Sequence, residues 1–326
     1  MKKKLFLLMA LCAFIGTATY GATLKRTILS HEGVLTQYDA DKWQDAIKDA
    51  VDGDIVYFTA GLFTGDFTID KAITLIGAGV AEDNGFWHNT EIDAVYAGCG
   101  ISGESTVLEG NVTIAIPGSK TLTKPVMEGF YLPEKSITVT EPVTGLTIKR
   151  CHSIGYWNNA FFTAEATVTN LILESCYFNQ INCGNLVKPT FRNCYAERLE
   201  IAPTDASIVN CMIITISNCT NCSFINCGYH DLHDSSYNTF VNCLYKNSDA
   251  NSSYTNCVHV DNPNRVTKAE MTEEGWYGND GKVIGPVGGG YPFTLIPSQP
   301  SVLTNNISYD SSKKELNVNL TIKQGK

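Results

Sequence analysis

The sequence predicts an all-β protein whose chain coils as a single-stranded parallel β-helix. A cysteine recurs along the middle of the chain, each recurrence carries a short strand-like pattern, and no unit shows helical periodicity. A drifting period of this size suits one β-helix rung per unit better than helical repeats or propeller blades. The recurring cysteines are separated by 25, 18, 17, 16, 16 and 14 residues: Cys151, Cys176, Cys194, Cys211, Cys227, Cys243 and Cys257.

In five of these units an asparagine directly precedes the cysteine. Asparagine tolerates left-handed backbone angles, so we expect it to bend the chain, with each amide donating to the amide of the next rung. The cysteine then opens the next strand facing the core, where it behaves as a small hydrophobe. This predicted structural ladder consists of Asn193 with Cys194, Asn210 with Cys211, Asn226 with Cys227, Asn242 with Cys243, and Asn256 with Cys257.

The cysteines also raise the alternatives of a zinc site and of disulfides. Cys219 and Cys222 lie between Cys211 and Cys227 and form a CxxC pair. If Cys211 and Cys227 are one rung apart, Cys219 lies about half a rung away on another face, and the four thiols cannot converge on one ion. Stacked parallel strands also hold Cβ atoms further apart than the roughly 3.8 Å of a disulfide. We predict mostly free, buried thiols and no metal site.

The N-terminal residues 1–21 have the features of a signal peptide. Lys2, Lys3 and Lys4 precede an apolar run too short to span a bilayer, and small residues follow near Thr19 and Gly21. No later stretch is long and apolar enough to cross a membrane. We therefore expect an exported protein, located in the periplasm, at the cell surface or outside the cell.

Composition limits the class of protein and of partner. The chain has 326 residues, of which 44% are hydrophobic and 17% charged, enough to bury a sizeable core. Its formal charge of −9 becomes −12 when the three N-terminal lysines are removed. A polyanion would be repelled overall, which argues against nucleic acid as a partner. The oligomeric state cannot be read from the sequence.

Residues 22–54 are predicted to cap the β-helix with a short amphipathic helix. Trp43, Ala46, Ile47, Ala50 and Val51 form one apolar stripe, with Asp39 or Asp41 available as N-cap. The helix would cover the open end of the β-helix, which otherwise exposes unpaired backbone groups. The β-helix itself is predicted over residues 55–262.

Two further segments follow the β-helix. Residues 263–300 lose the Asn-Cys pattern and fill with glycine and proline. Residues 301–326 alternate apolar and polar residues around "DSSKK", which predicts a C-terminal β-hairpin. A lone hairpin is marginally stable, so we expect it to pack against the helix end or a partner.

The stretch "DGDIVYFTAGLFTGDFTIDKAITLIGAG" resembles the entry segment of pectin-lyase-like right-handed parallel β-helix proteins. The asparagines from Asn193 to Asn256 are similar to the ladder that this superfamily uses at a bend. The stretch "DGKVIGPVGGGYPF" resembles the segment that closes many exported bacterial β-helix repeat proteins. The resemblance covers roughly residues 35–295 and implies a right-handed helix.

The resemblance implies several possible activities. The superfamily includes polysaccharide lyases and hydrolases, adhesins and proteins without known activity, so the fold alone does not specify one. The lyases combine a Ca²⁺ site of carboxylates with a base that removes a proton next to a sugar carboxylate. The hydrolases use clustered aspartates. No diagnostic motif of either class stands at a matching position, and Ca²⁺ is expected only if the chain is a lyase.

Counting from each cysteine places five polar residues on one face within a few rungs. Its carboxylates could hold a cation, and its histidine or lysine could take a proton. The alternative is an ordinary solvated strand face. The candidate catalytic residues are Arg198, Asp231, His233, Lys246 and Asp249.

Aromatic residues suggest a binding role instead. Tyr177 and Tyr195, one position past their cysteines, are expected to be exposed, and with Trp157 they could stack on sugar rings. Two functions follow as expectations. One is an exported protein that binds glycans or surface partners along a β-helix face, and the other is a lyase or hydrolase acting on an acidic polysaccharide.

Overall fold

The computed structural model describes residues 26–79, 105–153, 160–182, 184–200, 205–263, 266, 268–288, 301–310 and 315–323. Strands dominate these residues, as the sequence predicts. The chain divides into two compact units, Met1–Leu295 and Ile296–Lys326. Residues 1–25, which include the predicted signal peptide, lie outside the described residues.

Thirty short strands and two α-helices make up the described chain. The first ten strands are β1 Arg26–His31, β2 Val34–Asp39, β3 Ile55–Phe58, β4 Gly61–Thr64, β5 Phe67–Ile69, β6 Thr74–Ile76, β7 Thr106–Glu109, β8 Val112–Ile114, β9 Met127–Glu128 and β10 Ile137–Val139. The next ten are β11 Val143–Thr144, β12 Thr147–Lys149, β13 His152–Ser153, β14 Phe162–Ala164, β15 Val168–Thr169, β16 Ile172–Glu174, β17 Tyr177–Asn182, β18 Leu186–Val187, β19 Thr190–Arg192 and β20 Tyr195–Glu200.

The remaining strands are β21 Ser207–Val209, β22 Met212–Ser217, β23 Ser223–Ile225, β24 Gly228–His233, β25 Thr239–Val241, β26 Leu244–Tyr245, β27 Ser253–Thr255, β28 Val258–His259, β29 Ser301–Asp310 and β30 Glu315–Lys323. The helices are α1 Trp43–Asp49, preceded by a 3-10 turn at Ala40–Lys42, and α2 Lys268–Glu273. Neither α-helix has the length and apolar character needed to cross a bilayer, and the described residues contain no other candidate span.

Two long sheets contain most of the strands. The first sheet has the order β2-β1-β3-β6-β9-β12-β16-β19-β21-β23-β25-β27, and only β1 pairs antiparallel, with β2 and β3. The second sheet has the order β28-β26-β24-β22-β20-β17-β14-β10-β8-β5, with β13 beside β17. A smaller parallel sheet joins β11, β15 and β18, and β4 pairs with β7.

From β19 to β28 the chain alternates between the two long sheets. Odd-numbered strands extend the first sheet and even-numbered strands extend the second, each parallel to the strand before it in the same sheet. This topology is consistent with the predicted parallel β-helix. The first-sheet pairs keep one register, so that Phe191, Ile208, Phe224, Phe240 and Tyr254 follow one another.

This column faces the core, as the sequence predicts. Ile208, Phe224 and Phe240 are fully buried. The rings of Phe224 and Phe240 stack with centroids 4.7 Å apart, and those of Phe240 and Tyr254 with centroids 4.8 Å apart. These aromatic rings therefore pack one rung on the next in the interior between the sheets.

Helix α1 is amphipathic, but it is shorter than the predicted stripe. Trp43, Ala46, Ile47 and Ala50 are buried, and Trp43 contacts three phenylalanine rings edge-on. Val51 is 49% exposed because the helix ends at Asp49 and the chain is already extended at Ala50. Asp39, one of the two predicted N-cap residues, is the N-cap of the 3-10 turn that leads into α1, and Lys42 is the N-cap of α1 itself. Neither residue makes a side-chain capping hydrogen bond.

A hairpin that the sequence analysis did not identify precedes this helix. Strands β1 and β2 pair over their full length, and β1 continues the sheet into β3. Farther along, β29 and β30 pair antiparallel, which matches the predicted C-terminal hairpin.

An ion pair links the β1–β2 hairpin to the turn before β3. His31 Nδ1 lies 2.8 Å from Asp54 Oδ1, and Asp54 Oδ2 accepts a hydrogen bond from the Val51 amide at 2.9 Å. Asp54 is buried, whereas half of the His31 side chain is exposed. The hydrogen bond to Asp54, with the charge of that carboxylate, raises the pKa of His31 above its ordinary 6.5.

We predict that this pair stabilises the fold at low pH. Because the pKa of His31 is raised, the contribution of the pair to the free energy of unfolding is complete below pH 6.5. It is lost as pH rises through the raised pKa. His31→Gln should remove that part of the pH dependence. Thermal unfolding measured between about pH 5 and pH 9 compares this variant with the wild type and with His233→Gln as the control. Parallel pH profiles for His31→Gln and the wild type would contradict the prediction.

Candidate functional site

The outer side of the second sheet presents polar side chains in register over three rungs. Strands β20, β22 and β24 align Arg198, Thr215 and Asp231 in one column. They align a second column two residues further along, of Glu200, Ser217 and His233. We call these six residues the polar face. Between the two columns, Leu199, Ile216 and Leu232 pack towards the core. Because side chains alternate along a strand, the residues on either side of each of these three point away from the core.

Glu200 is the most connected residue of the polar face. Its carboxylate accepts hydrogen bonds from Gln180 Nε2 at 3.2 Å and from Asn218 Nδ2 at 3.3 Å. It also lies 3.5 Å from Arg198 Nη2. The arrangement joins side chains of three successive rungs, while 49% of the Arg198 side chain stays exposed. Arg198 is therefore partly engaged in the network and partly available to a ligand.

Asp231 makes a separate contact one rung further along. Its Oδ1 accepts a hydrogen bond from Asn247 Nδ2 at 2.7 Å. Arg198 and Asp231 are two rungs apart, roughly 10 Å at the strand spacing, and among the described residues they form no ion pair. Lys246 is exposed, and its amide continues the rung register by donating to the Tyr229 carbonyl at 3.2 Å.

Asp249 does not join the polar face. Strand β26 ends at Tyr245, so the column of Glu200, Ser217 and His233 does not continue to it. Its Oδ1 accepts a hydrogen bond from the Asn251 amide at 2.8 Å, and its own amide donates to the Tyr254 hydroxyl at 3.2 Å. Of the five candidate catalytic residues, the structure thus brings Arg198, Asp231 and His233 onto one face, with Lys246 one rung beyond it.

The polar face does not fit a Ca²⁺ ion. Calcium needs six to eight oxygen ligands around one point. The Asp231 carboxylate lies two rungs away from that of Glu200, and each accepts hydrogen bonds from neighbouring side-chain amides. Among the residues that the structure describes, no group of three His, Cys, Asp or Glu side chains is arranged to hold a metal ion.

The prediction that Tyr177 and Tyr195 are exposed is wrong. They are only 4% and 5% exposed, and their rings stack on each other with centroids 4.7 Å apart. Stacking on a sugar needs an open ring face, so the argument for their binding role is lost. Trp157 lies outside the described residues.

These tyrosines belong to a buried column one position past the cysteines, which we call the outer seam: His152, Tyr177, Tyr195, Met212 and Leu244. All five are buried, and Leu244 belongs to a cluster separate from the main core. Burial lowers the pKa of His152 to about 4, which keeps its ring neutral.

The segment after the last strands of the two long sheets covers one end of the outer seam. Met271 in α2, with Val283 and Ile284, packs on Leu244. The Gly285 amide donates to the carbonyl of Asn242 at 2.8 Å, which fixes the segment along the sheet. The exposure prediction failed because strand alternation shows which way a side chain points and does not show that its ring will be buried, as Tyr177 and Tyr195 are where they stack on each other.

The structural ladder has the predicted backbone conformation. Asn193, Asn210, Asn226, Asn242 and Asn256 all have φ between 50° and 55°. The predicted stacking of amides is wrong at two positions, because the buried Oδ1 atoms of Asn193 and Asn226 accept no hydrogen bond from the described residues. The bend therefore depends on the left-handed tolerance of asparagine and not on a continuous row of amide bonds.

The thiols form a buried stack of their own. Each amide of Cys194, Cys227 and Cys243 lies 3.4 Å from the Sγ of the next rung's cysteine. All nine described cysteines are thiols, and all but Cys257 are buried. Burial raises the pKa of the Cys151 thiol to about 12, so it stays protonated and unreactive.

The sequence analysis missed three members of the network on the polar face. Glu200 falls six places past Cys194, in the same column as His233, and this count could have identified it. Gln180 and Asn218 gave no signal, because one lies on an earlier rung and the other just beyond a strand end.

The comparisons with known proteins identify no family. No family model matches the chain, and no curated protein and no solved structure matches it.

We predict that Asn226 stabilises the fold through its backbone angle. Its φ of 52° costs an alanine roughly 1–2 kcal/mol, whereas glycine adopts it freely. Asn226→Ala should therefore lower the free energy of unfolding by about 1 kcal/mol. Asn226→Gly should be more stable than Asn226→Ala, since both variants lack the Asn226 side-chain amide and only alanine has a Cβ that is strained at this φ. Urea unfolding measures both, and a glycine variant less stable than the alanine variant would refute the explanation.

Proposed function

We propose that this protein is an exported, right-handed parallel β-helix of the pectin-lyase-like type that binds an extended glycan along the polar face. In this proposal α1 caps the N-terminal end, and residues 1–21 direct export. The observation that carries the proposal is the register of the polar face, which repeats hydrogen-bonding side chains at the strand spacing of roughly 4.8 Å.

The chemistry of the polar face suits a partner rich in hydroxyl groups. Arg198 donates, Asp231 accepts, and the partly exposed Thr215 can do both, whereas Ser217 is buried. A polysaccharide hydroxyl is likewise a donor and an acceptor, so one extended chain can use successive rungs. Because the face carries both a cation, Arg198, and the anions Glu200 and Asp231, binding does not require a charged polymer.

Binding is favoured over catalysis by what the charged groups contact. Arg198 lies beside Glu200, and Asp231 accepts a hydrogen bond from Asn247. A lyase or hydrolase acting on an acidic polysaccharide is the competing proposal. It needs a base and an acid at one sugar, whereas His233 and Asp249 do not share a column.

Affinity electrophoresis through gels containing soluble neutral or acidic polysaccharides tests the proposal. We predict retardation of the wild type in at least one gel. Arg198→Ala should weaken binding about tenfold, the value of one charge-assisted hydrogen bond. Glu200 keeps its two amide donors in that variant, so the fold should be retained. Lys268→Ala, which removes an exposed cation from α2, is the matched control.

A degradation assay with and without Ca²⁺ separates the two proposals. Unsaturated product that disappears in Asp231→Ala or Lys246→Ala would establish a lyase and reject a binding-only role. Equal retardation of Arg198→Ala and the wild type would show that the polar face is not the glycan site. Absence of binding to every polysaccharide would overturn the proposal.

A further inference from the structure

A second regular surface lies on the outer side of the first sheet. Strands β21, β23 and β25 align Ser207, Ser223 and Thr239 in one column, and Val209, Ile225 and Val241 in another. We call these six residues the hydroxyl–aliphatic patch. All are at least partly exposed, because the residue between each pair points into the core. Thr190 and Ser253 extend the hydroxyl column to five rungs.

The aliphatic column changes character along its length. In earlier rungs of the same column stand Glu128, Lys149, Glu174 and Arg192, which alternate in sign. Lys149 Nζ lies 3.1 Å from Glu174 Oε2. The next three positions of the column, Val209, Ile225 and Val241, carry no charge. The same outward position thus carries charge in one half of the sheet and branched aliphatic groups in the other, which sets the patch apart from an ordinary solvated face.

The patch is rigid and its hydroxyls are accessible. Valine, isoleucine and threonine are restricted at χ1, so few rotamers are lost on binding. The stacked rings of Phe224 and Phe240 support the patch from the core. Within the described part of the chain, the hydroxyls of Ser207 and Ser223 make no hydrogen bond, whereas Ser253 Oγ lies 3.4 Å from Thr239 Oγ1.

Size and charge narrow the choice of partner. With the two outer rungs of the hydroxyl column included, the surface is five rungs at 4.8 Å high and three residues at 3.3 Å wide, an area of roughly 240 Å². A stable protein interface buries roughly 800 Å² per partner. A second copy of the chain is therefore a poor occupant. The patch has no charge to pair with an anion, and the chain as a whole carries −9. The partner is thus neutral and needs only a small area of contact.

We propose that the hydroxyl–aliphatic patch binds an ordered, neutral, insoluble polysaccharide. Such a surface presents rows of sugar hydroxyls beside rows of C–H groups, which match the hydroxyl and aliphatic columns. Rigid columns that repeat at the rung spacing lose little entropy against a partner that is itself ordered. This site is distinct from the polar face, which lies on the other sheet, and it does not depend on the function proposed there.

The test measures sedimentation of the full chain with microcrystalline cellulose, with crystalline chitin and with the amorphous, swollen form of each polymer. The wild type should bind at least one crystalline form, and bind it more tightly than the amorphous form. Ile225→Lys places a charge at the centre of the patch and should weaken binding about tenfold or more, because the ammonium is desolvated without a partner. Ile225→Val should retain binding.

Thr138→Lys is the matched control, since it adds the same charge at a partly exposed position between two buried residues of β10 in the second sheet. Circular dichroism and thermal unfolding establish that each variant folds. Binding unchanged by Ile225→Lys, or equal for crystalline and amorphous polymer, would overturn the inference. So would the absence of binding to both polymers, or a dimer in sedimentation velocity that Ile225→Lys dissociates.

The retardation of Ile225→Lys in gels containing soluble glycans should equal that of the wild type. Failure of the hydroxyl–aliphatic patch is therefore distinguishable from failure of the polar face.

Discussion

The left-handed bend before each recurring cysteine is the constraint on which the rest of the structure depends. It occurs at all seven units, and φ is 49° at Arg150 and 55° at Ser175, where no asparagine is present. The backbone angle is thus the repeated feature, and asparagine is the side chain that adopts it at the lowest cost. Each bend moves the chain from the first sheet to the second, so that one rung supplies a strand to both.

The bend also decides which side chains face outward. Without it, the strict alternation of a straight strand would place the cysteines on the outside. With it, the thiols pack inside and the next residue enters the outer seam. The positions four and six past the cysteine form the polar face, with one core-facing residue between them in each rung. The hydroxyl–aliphatic patch arises from the same periodicity on the preceding strand. Both surfaces are regular because one backbone geometry repeats beneath them.

Sequence patterns predict the parts of this structure that are local and repeated. The Asn-Cys units indicate the rungs, their register and the inward column of Phe224 and Phe240. They also locate Arg198, Asp231 and His233 on one face, because counting from a cysteine is equivalent to counting along a rung. The patch was detectable in the same way, since every Asn-Cys unit begins with serine or threonine four places before the cysteine.

Long-range packing is what the pattern does not contain. Tyr195 is only 5% exposed in the outer seam, where its ring stacks on that of Tyr177, and the repeat alone does not predict this burial. Asp249 leaves its column because β26 is only two residues long. The β1–β2 hairpin was missed because it pairs antiparallel, outside the repeat. Val51 was misplaced because the helix ends at Asp49, two residues before the end of its apolar stripe.

The distance between two outward positions of the first sheet tests the stacking of rungs most directly. Spin labels on unnatural residues at positions 190 and 253 avoid the native cysteines. These positions lie four rungs apart, so pulsed electron paramagnetic resonance should give one narrow distribution centred near about 19 Å, before allowance for the label arms. A broad distribution, or one centred well beyond that distance, would contradict the in-register stack.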